Sequence, residues 1–336
     1  MISLVSFTMA FRRCRVSTLT LLLIECLLIL VSSFQNHPNA FIRHSTPSSV
    51  VGGAAQKSHV LYTLPKLVVF GPGPSEMGLL VTKLAARAGI DSTYVCQAGE
   101  ENGSMIMMYG ADDKKPPEGE NSASVVASGA DIGAALSTTN CLALNCYSEM
   151  LQEARLNTAL GACGGNLSRV VLLSQMGATL SNGGGFMGLL GGGPGATEKI
   201  VKKACDAKGV ELSIVRAGAL KGGGPGKEEL DTELGLSKIY YNSIFELQQA
   251  MVTMAHDKFT LGAYVVAGDV PMANGLQQTM NKGSFEPKPN ESNRIVVAGA
   301  MVAAMLADKP IDISVGCAKG EMPPSLQEWN DILAAV

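Results

Sequence analysis

Residues 66–78 read KLVVFGPGPSEMG and contain a short apolar run, a glycine-rich turn and the start of a helical pattern. The run 66–70 is typical of a buried parallel strand, because parallel strands are covered on both faces and are apolar throughout. After the turn, apolar residues recur every three or four positions as far as Gly89, a residue that favours the end of a helix. The sequence therefore predicts a strand, a tight turn and a helix in direct succession.

The same alternation continues to the end of the chain. Apolar runs of strand length are separated by patterns of helical period and by polar or glycine-rich connections. This predicts an α/β fold, a doubly wound parallel sheet in one domain over residues 66–336, with a small C-terminal region on the substrate side. Further strands are predicted at 92–96, 106–109, 141–145, 169–174, 211–216, 265–267 and 311–315. Helices are predicted at 77–88, 150–160, 196–207, 244–254, 296–306 and 325–336, and a surface loop at 111–121.

Composition and charge exclude several classes of protein. Of the 336 residues, 46% are hydrophobic and 16% are charged, so the chain is not a disordered polymer. The 26 basic and 29 acidic residues give a formal net charge of -3, and no Lys/Arg-rich stripe occurs, so we expect no nucleic-acid partner. The cysteines form no CxxC pair, and Cys141 and Cys146 lack a nearby histidine, so we expect no metal site.

The first 65 residues have the composition of a targeting sequence. Three arginines precede the apolar run 19–31, which is shorter than the roughly 20 residues that a spanning helix needs. Residues 1–40 are therefore predicted to be a signal peptide, and a retained membrane anchor is the alternative. No Asp or Glu occurs at 26–75, and such acid-poor sequence is typical of a transit peptide, predicted at 41–65.

The junction between these two segments, Ala40-Phe41, resembles the bipartite presequences of algae whose plastids arose by secondary endosymbiosis. In those presequences the signal peptide is cut just before a phenylalanine. The resemblance implies delivery to the plastid and no stable membrane span after processing. Cleavage after Ser33 would also leave an N-terminal phenylalanine, and endomembrane retention or secretion is the alternative location.

The glycine-rich turn at 71–74 stands where a dinucleotide-binding fold needs glycines. There the chain turns tightly, its bare backbone approaches a pyrophosphate, and the N–H groups of the following helix point at the phosphates. The pattern departs from G-x-G-x-x-G, because Glu76 occupies the third glycine position and would repel a phosphate. A glycine turn in a sheet without a ligand is the alternative. The candidate cofactor-binding residues are Gly71, Gly73, Ser75 and Gly78.

The end of the second strand normally selects between NAD and NADP. An acidic residue there binds the NAD ribose, and an arginine accepts the 2′-phosphate of NADP. Here Gln97 follows the strand, and the acids Glu100 and Glu101 come only after a further glycine. Gln97 is therefore another candidate for cofactor contact, and the choice between NADP and NAD stays open.

Three later segments resemble a known family. Residues 169–178, RVVLLSQMGA, resemble the fifth strand of NmrA-like atypical short-chain dehydrogenase/reductases. Residues 209–220, GVELSIVRAGAL, and 293–303, NRIVVAGAMVA, are similar to two later segments of that family and occur in the same order. With the glycine turn, the resemblance covers residues 66–316. It implies an NAD(P)-binding Rossmann fold with the cofactor in the cleft at the carboxyl ends of the strands.

The catalytic pair of many short-chain reductases is missing from its usual place. In that pair a Tyr donates the substrate proton and a Lys four residues later lowers the pKa of the Tyr. Only Tyr62 has a Lys at this spacing, Lys66, and the pair precedes the glycine turn. Ser174 keeps the serine position of the family, which implies a place at the cleft rim, in contact with the cofactor and the substrate carbonyl. The other candidates for the proton are Lys199, Tyr240 and Tyr241.

These features lead to one function and two alternatives. The first is an NAD(P)-binding, oxidoreductase-like protein of the plastid that acts on a small-molecule substrate. Because the Tyr–Lys pair is missing, the second is a catalytically silent NAD(P)-binding protein that assembles or regulates a plastid protein complex. The third is a sheet without a ligand that serves as an interaction domain. We expect slow or absent turnover of generic carbonyl compounds.

Overall fold

The structure is a computed structural model that describes residues 65–111, 121, 123–180, 194–225, 234–244, 247–272 and 290–336. The predicted signal peptide, most of the predicted transit segment and most of the loop 111–121 lie outside these residues. Within the described part, no helix combines the length and the apolar character needed to cross a membrane.

The strands and helices alternate along the chain, as the sequence predicts. The strands are β1 (Lys66–Phe70), β2 (Asp91–Val95), β3 (Ser124–Val126), β4 (Cys141–Tyr147), β5 (Arg169–Gln175), β6 (Glu211–Ala217), β7 (Ala219–Lys221), β8 (Gly262–Ala267), β9 (Glu291–Asn293) and β10 (Asp312–Ala318). The helices are α1 (Ser75–Arg87), α2 (Glu101–Tyr109), α3 (Gly129–Thr138), α4 (Glu153–Ala162), α5 (Pro194–Lys208), α6 (Lys238–Ser243), α7 (Leu247–Phe259), α8 (Arg294–Leu306) and α9 (Leu326–Ala334).

The described strands form an eight-stranded sheet in the order β3-β2-β1-β4-β5-β6-β10-β8, with β7 and β9 as a separate parallel pair. All neighbours in the large sheet are parallel except β8, which runs antiparallel to β10. The first six strands follow the 3-2-1-4-5-6 order of a doubly wound dinucleotide-binding fold. The predicted fold class is therefore confirmed, and the order reverses between β1 and β4.

Helices cover both faces of the sheet, which is why its central strands are apolar throughout. On one face, β-strand residues such as Val69 and Leu173 pack against α1, α2, α8 and α9. On the other face, their chain neighbours Val68 and Leu172 pack against α3, α4 and α5. Because successive side chains of a strand point to opposite faces, this alternation assigns each strand residue to one side of the sheet.

The predicted strand at 106–109 is wrong, because these residues form the last turn of α2. Four apolar residues fit a strand and a buried helical turn equally well, and periodicity cannot separate the two. Ser104 and Met108 are the buried residues of α2 and lie four positions apart, on one face of the helix. The third strand is instead β3, a three-residue edge strand too short to show an alternating pattern.

A buried arginine near the carboxyl end of β6 joins four elements of the fold. Arg216 on β6 is 3% exposed and donates two hydrogen bonds of 2.8 Å to Glu198 on α5. It also donates to Asp312 on β10 and lies 3.8 Å from Asp269, in the segment that follows β8. One cation thus faces three carboxylates, of which Glu198 and Asp269 are buried and Asp312 is exposed.

We predict that Arg216→Met destabilises the fold by about 3–5 kcal/mol, because it leaves buried carboxylates without their cation. Urea unfolding is readily followed by the fluorescence of Trp329, the single tryptophan of the chain, which is 1% exposed. The control is Lys203→Met, which breaks an exposed 3.3 Å pair with Glu153 and should change stability by less than about 1 kcal/mol. Equal effects of the two variants would contradict the assigned role of Arg216.

Candidate functional site

The glycine turn lies directly against strand β4. Gly71 has φ +146°, a backbone conformation that side chains rarely adopt, and a Cβ added there would lie 2.7 Å from the carbonyl carbon of Asn145. A Cβ at Gly73 would lie 2.6 Å from Asn145 Oδ1. Both glycines are therefore required by close approach to β4, whether or not a ligand binds.

Asn145 is the residue that holds this turn, and the sequence did not single it out. Its carbonyl accepts a 2.8 Å hydrogen bond from the Gly73 N–H, and its Nδ2 donates a 2.7 Å bond to the Pro74 carbonyl. The side chain is 2% exposed, and its Oδ1 has no hydrogen-bond partner among the described residues. The available signal was one amide in an otherwise apolar strand, CLALNCY.

Gly78 lies where α1 crosses β2. A Cβ at this position would lie 3.2 Å from Cδ2 of Tyr94 and closer still to the edge of the ring. This is the role of the third glycine of a dinucleotide-binding turn, which allows a helix to pack closely on a strand. The glycine therefore serves that role two positions later than the usual spacing.

The turn offers two backbone donors to a ligand. Pro72 and Pro74 have no N–H group, the Gly73 N–H is bonded to Asn145, and the Met77 N–H is bonded to the Pro74 carbonyl at 3.0 Å. Ser75 and Glu76 begin α1, and their N–H groups have no acceptor among the described residues. Ser75 is exposed and Glu76 is partly exposed, and both donors belong to the positive end of a helix.

Negative charge gathers between α1 and the end of β2. The pKa of Tyr94 is raised to about 12, first by burial and then by the charges of Cys96, Glu100 and Glu76. Gln97 is exposed, and its carbonyl accepts a 3.1 Å hydrogen bond from the Glu100 N–H, which turns the chain into α2. Gln97 and Glu100 thus lie in the connection between β2 and α2.

Ser174 lies at the carboxyl end of β5, where the resemblance implies it. It is 2% exposed, and its hydroxyl has no hydrogen-bond partner among the described residues. Because Leu173 faces α1 and α8, Ser174 faces the side of α5 and pairs in register with Arg216. Contact with a substrate carbonyl would require this buried hydroxyl to become accessible.

Lys199 is exposed on α5, while its neighbour Glu198 faces the sheet and binds Arg216. The structure therefore does not bring Lys199 and Ser174 together around a common partner. The hydroxyls of Tyr240 and Tyr241 already donate hydrogen bonds. The Tyr240 hydroxyl donates to the Gly222 carbonyl at 3.2 Å, and the Tyr241 hydroxyl donates to Asp257 at 2.6 Å.

Tyr147 is a second residue that the sequence did not single out. It ends β4 and has φ +33°, and no other described residue besides glycine has a positive φ. The pairing of β4 with β5 shifts register between Asn145 and Tyr147. The Tyr147 hydroxyl donates a 2.6 Å hydrogen bond to the carbonyl of Gly218, just beyond the end of β6. Tyr147 does not fit the reductase pattern, in which the tyrosine stands on a helix with a lysine four residues later.

The described part of the chain contains no evident metal site. No group of three or more His, Cys, Asp or Glu side chains in these residues is arranged to hold an ion. The six cysteines there are free thiols.

Comparison with known proteins gives similarity at the level of structure. No protein-family model matches the chain, and no curated protein matches its sequence. Similar solved structures include a short-chain dehydrogenase/reductase from Veillonella parvula in complex with NADP, at 11% identity and TM-score 0.42, covering 78% of this chain and 100% of that one. The anaerobillin reductase ChuY from Escherichia coli O157:H7 is 11% identical at TM-score 0.44, covering 77% and 100%. Identity and TM-scores this low assign no activity to the chain.

We predict that Gly71→Ala destabilises the fold by about 1–3 kcal/mol, because the added methyl group overlaps the backbone of Asn145. Gly103→Ala is the matched control, since Gly103 lies within α2 with nothing within 4 Å of an added Cβ. Alanine there should leave stability unchanged or raise it slightly. Urea unfolding of both variants measures the difference, and an unaffected Gly71→Ala would contradict the tight approach of the turn to β4.

Proposed function

We propose that the chain binds a nicotinamide dinucleotide across the carboxyl edge of the sheet, with the pyrophosphate at the start of α1. The observation that supports this most is the pair of N–H groups at Ser75 and Glu76 that have no acceptor among the described residues, at the point where the strand order reverses between β1 and β4. In open α/β sheets ligands bind at this reversal, and a helix N-terminus is suited to an anion.

The residues of the glycine turn fit a dinucleotide, and two of its features weaken the binding. Gly71 makes the tight turn and Gly78 allows the helix to pack on β2, as such a site needs. The two prolines leave fewer donors than usual, and the carboxylate of Glu76 opposes a pyrophosphate. We therefore expect weaker binding than a full G-x-G-x-x-G turn provides.

The acids beside the turn favour NAD over NADP. Glu76 and Glu100 both act on the Tyr94 hydroxyl, next to the place where the adenosine ribose would lie. A 2′-phosphate would add about two negative charges to this already negative end. An acidic residue near the end of β2 instead suits the free ribose hydroxyl.

The reaction proposed for this site is oxidation or reduction of a small-molecule carbonyl or alcohol. When bound, the dinucleotide supplies or accepts the hydride, and the chain must position the substrate and move a proton. The alternative is a silent NAD(P)-binding protein that assembles or regulates a plastid complex. It is favoured by the burial of Ser174 and by the separation of Ser174 from Lys199.

Calorimetry with NADH and NADPH tests the proposed site. We predict that Ser75→Asp weakens NADH binding at least tenfold, because it places a negative charge where the pyrophosphate would lie without entering the packed side of the turn. Gln152→Asp, at the exposed N-terminus of α4, is the control and should leave the affinity unchanged. NADPH should bind more weakly than NADH.

Ser75→Asp is preferred to a change at Gly73, where any side chain would strike Asn145 and disturb the fold. Absence of binding heat with either dinucleotide at millimolar concentration would sink the proposal. Equal affinity of Ser75→Asp and the unaltered chain would place the dinucleotide elsewhere.

The location proposed for the protein is the plastid, reached through a signal peptide cleaved before Phe41. It is supported by the basic and apolar start of the chain and by the acid-free sequence from 26 to 75. We predict that residues 1–66 direct a fluorescent protein into the plastid of an alga with secondary plastids, as seen by microscopy. Retention in the endoplasmic reticulum, or secretion, would count against this location.

A further inference from the structure

The left-handed backbone of Tyr147 costs free energy that its surroundings must supply. A side chain at positive φ is disfavoured by about 1–3 kcal/mol, and such residues are concentrated at active sites and ligand-binding positions. Tyr147 occupies the carboxyl end of β4, two residues after the amide that fastens the glycine turn. The strained residue therefore lies at the edge of the sheet where the dinucleotide is proposed to bind.

The Tyr147 side chain reaches across the end of β5. Its backbone is paired with Ser174 on β5, yet its hydroxyl bonds to Gly218 beyond β6, on the far side of that strand. The phenol thus lies over the carboxyl ends of β5 and β6. In a fold with one mononucleotide per half-sheet, this is the half that holds the nicotinamide end. Tyr147 is half-buried: it packs against the core on the side of α1 and α8 but is not fully enclosed by the described residues.

The acceptor of the Tyr147 hydroxyl is held firmly in place. The Gly218 N–H donates a 2.8 Å hydrogen bond to Ser292 Oγ, which in turn donates a 2.6 Å bond to the Val315 carbonyl on β10. A Cβ at Gly218 would lie 3.1 Å from the Cα of Asn290, so the backbone is also packed tightly. This arrangement fixes the phenol oxygen in one position, and the O–H must rotate away from the Gly218 carbonyl to pass its proton to a substrate.

The charge of Arg294 acts on this phenol. Arg294, the first residue of α8, donates a 2.9 Å hydrogen bond to the Gly222 carbonyl, and its buried Nε has no partner among the described residues. Burial raises the pKa of Tyr147, while a hydrogen bond with the Leu220 backbone and then the charge of the Arg294 guanidinium lower it. The phenol therefore keeps its proton at neutral pH, while the cation stabilises the phenolate that remains once the proton leaves.

We propose that Tyr147 is the proton donor of the proposed carbonyl reduction, with Arg294 as the cation that stabilises its conjugate base. The inference rests on the proposed dinucleotide site. The carbonyl carbon accepts the hydride of a reduced nicotinamide dinucleotide, the π pair moves onto oxygen, and the oxygen takes the proton of Tyr147 Oη. The products are the alcohol, the oxidised dinucleotide and a phenolate that regains its proton from water.

The other tyrosines near the cleft are less suited to this role. The Tyr241 hydroxyl is bonded to Asp257, a carboxylate that is 0% exposed and also accepts the N–H groups of Gly223 and Gly224. Moving that proton would leave two negative charges buried side by side. Tyr240 is 4% exposed, so its hydroxyl is closed off from a substrate by the described residues.

The test combines a proton titration with turnover, on the full chain. In the dinucleotide-free protein, the ultraviolet difference between the unaltered chain and Tyr147→Phe isolates the phenolate of Tyr147. Its midpoint should lie above the ordinary value of about 10 and should rise further in Arg294→Met. With NADH and a panel of aldehydes, ketones and quinones, Tyr147→Phe should lower kcat by about 10² to 10⁴ and leave NADH affinity unchanged.

The pH profile separates a proton donor from a structural tyrosine. The rate should fall as pH rises through the pKa of Tyr147, because the donor must be protonated, and this fall should move to higher pH in Arg294→Met. Tyr264→Phe makes the same chemical change at a residue that is 50% exposed on β8 and should have no effect.

Each adverse result has a definite meaning. A chain that binds NADH but reduces none of the panel, or a Tyr147→Phe variant with full turnover, would overturn the role of Tyr147 and leave the dinucleotide site standing. A chain that binds neither dinucleotide would overturn the proposed function itself. A phenolate midpoint that does not move in Arg294→Met would overturn the assigned role of the cation.

Discussion

Asn145 joins the first turn of the fold to strand β4 through its carbonyl and its side-chain amide. This pair of hydrogen bonds sets where the chain leaves β1 and therefore where α1 begins. It also explains why the turn is rich in glycine, since a methyl group at either Gly71 or Gly73 would occupy the space of Asn145. The N-terminus of α1 is thereby presented at the point where the strand order reverses.

A turn can need glycines for two different reasons, and the hydrogen bonds of Asn145 distinguish them. The usual explanation is that a pyrophosphate needs bare backbone, whereas here close packing on β4 is a sufficient cause. The glycines therefore do not argue for a ligand by themselves. What argues for one is the exposed start of α1, where the N–H groups of Ser75 and Glu76 have no acceptor among the described residues. The acid at Glu76 lowers the expected affinity without removing these donors.

Much of the fold could be predicted from the sequence, because buried parallel strands are apolar over their whole length. The strands at 66–70, 169–175 and 211–217 match their predicted runs closely. The run 106–109 failed because four apolar residues suit a helical turn equally well, and β3 was too short to be recognised. For the site, Ser174 could be placed at the end of β5, but its burial depends on helix α5, which the strand pattern does not reveal. Two features distinguish Tyr147: its positive φ and its hydrogen bond to a residue 71 positions along the chain. Neither feature is visible in a local sequence pattern.

The most direct test of the proposed site is hydrogen–deuterium exchange of the full chain with and without saturating NADH. A pyrophosphate bound at the start of α1 would accept hydrogen bonds from two N–H groups that otherwise have no acceptor among the described residues, so their exchange should slow. We expect NADH to increase protection in the peptide that covers residues 71–78 and in the peptide that contains the end of β4 at Tyr147. Exchange on the outer face of α9 should not change. Exchange that stays unaltered at 71–78 while NADH slows it elsewhere would contradict a dinucleotide site at this turn.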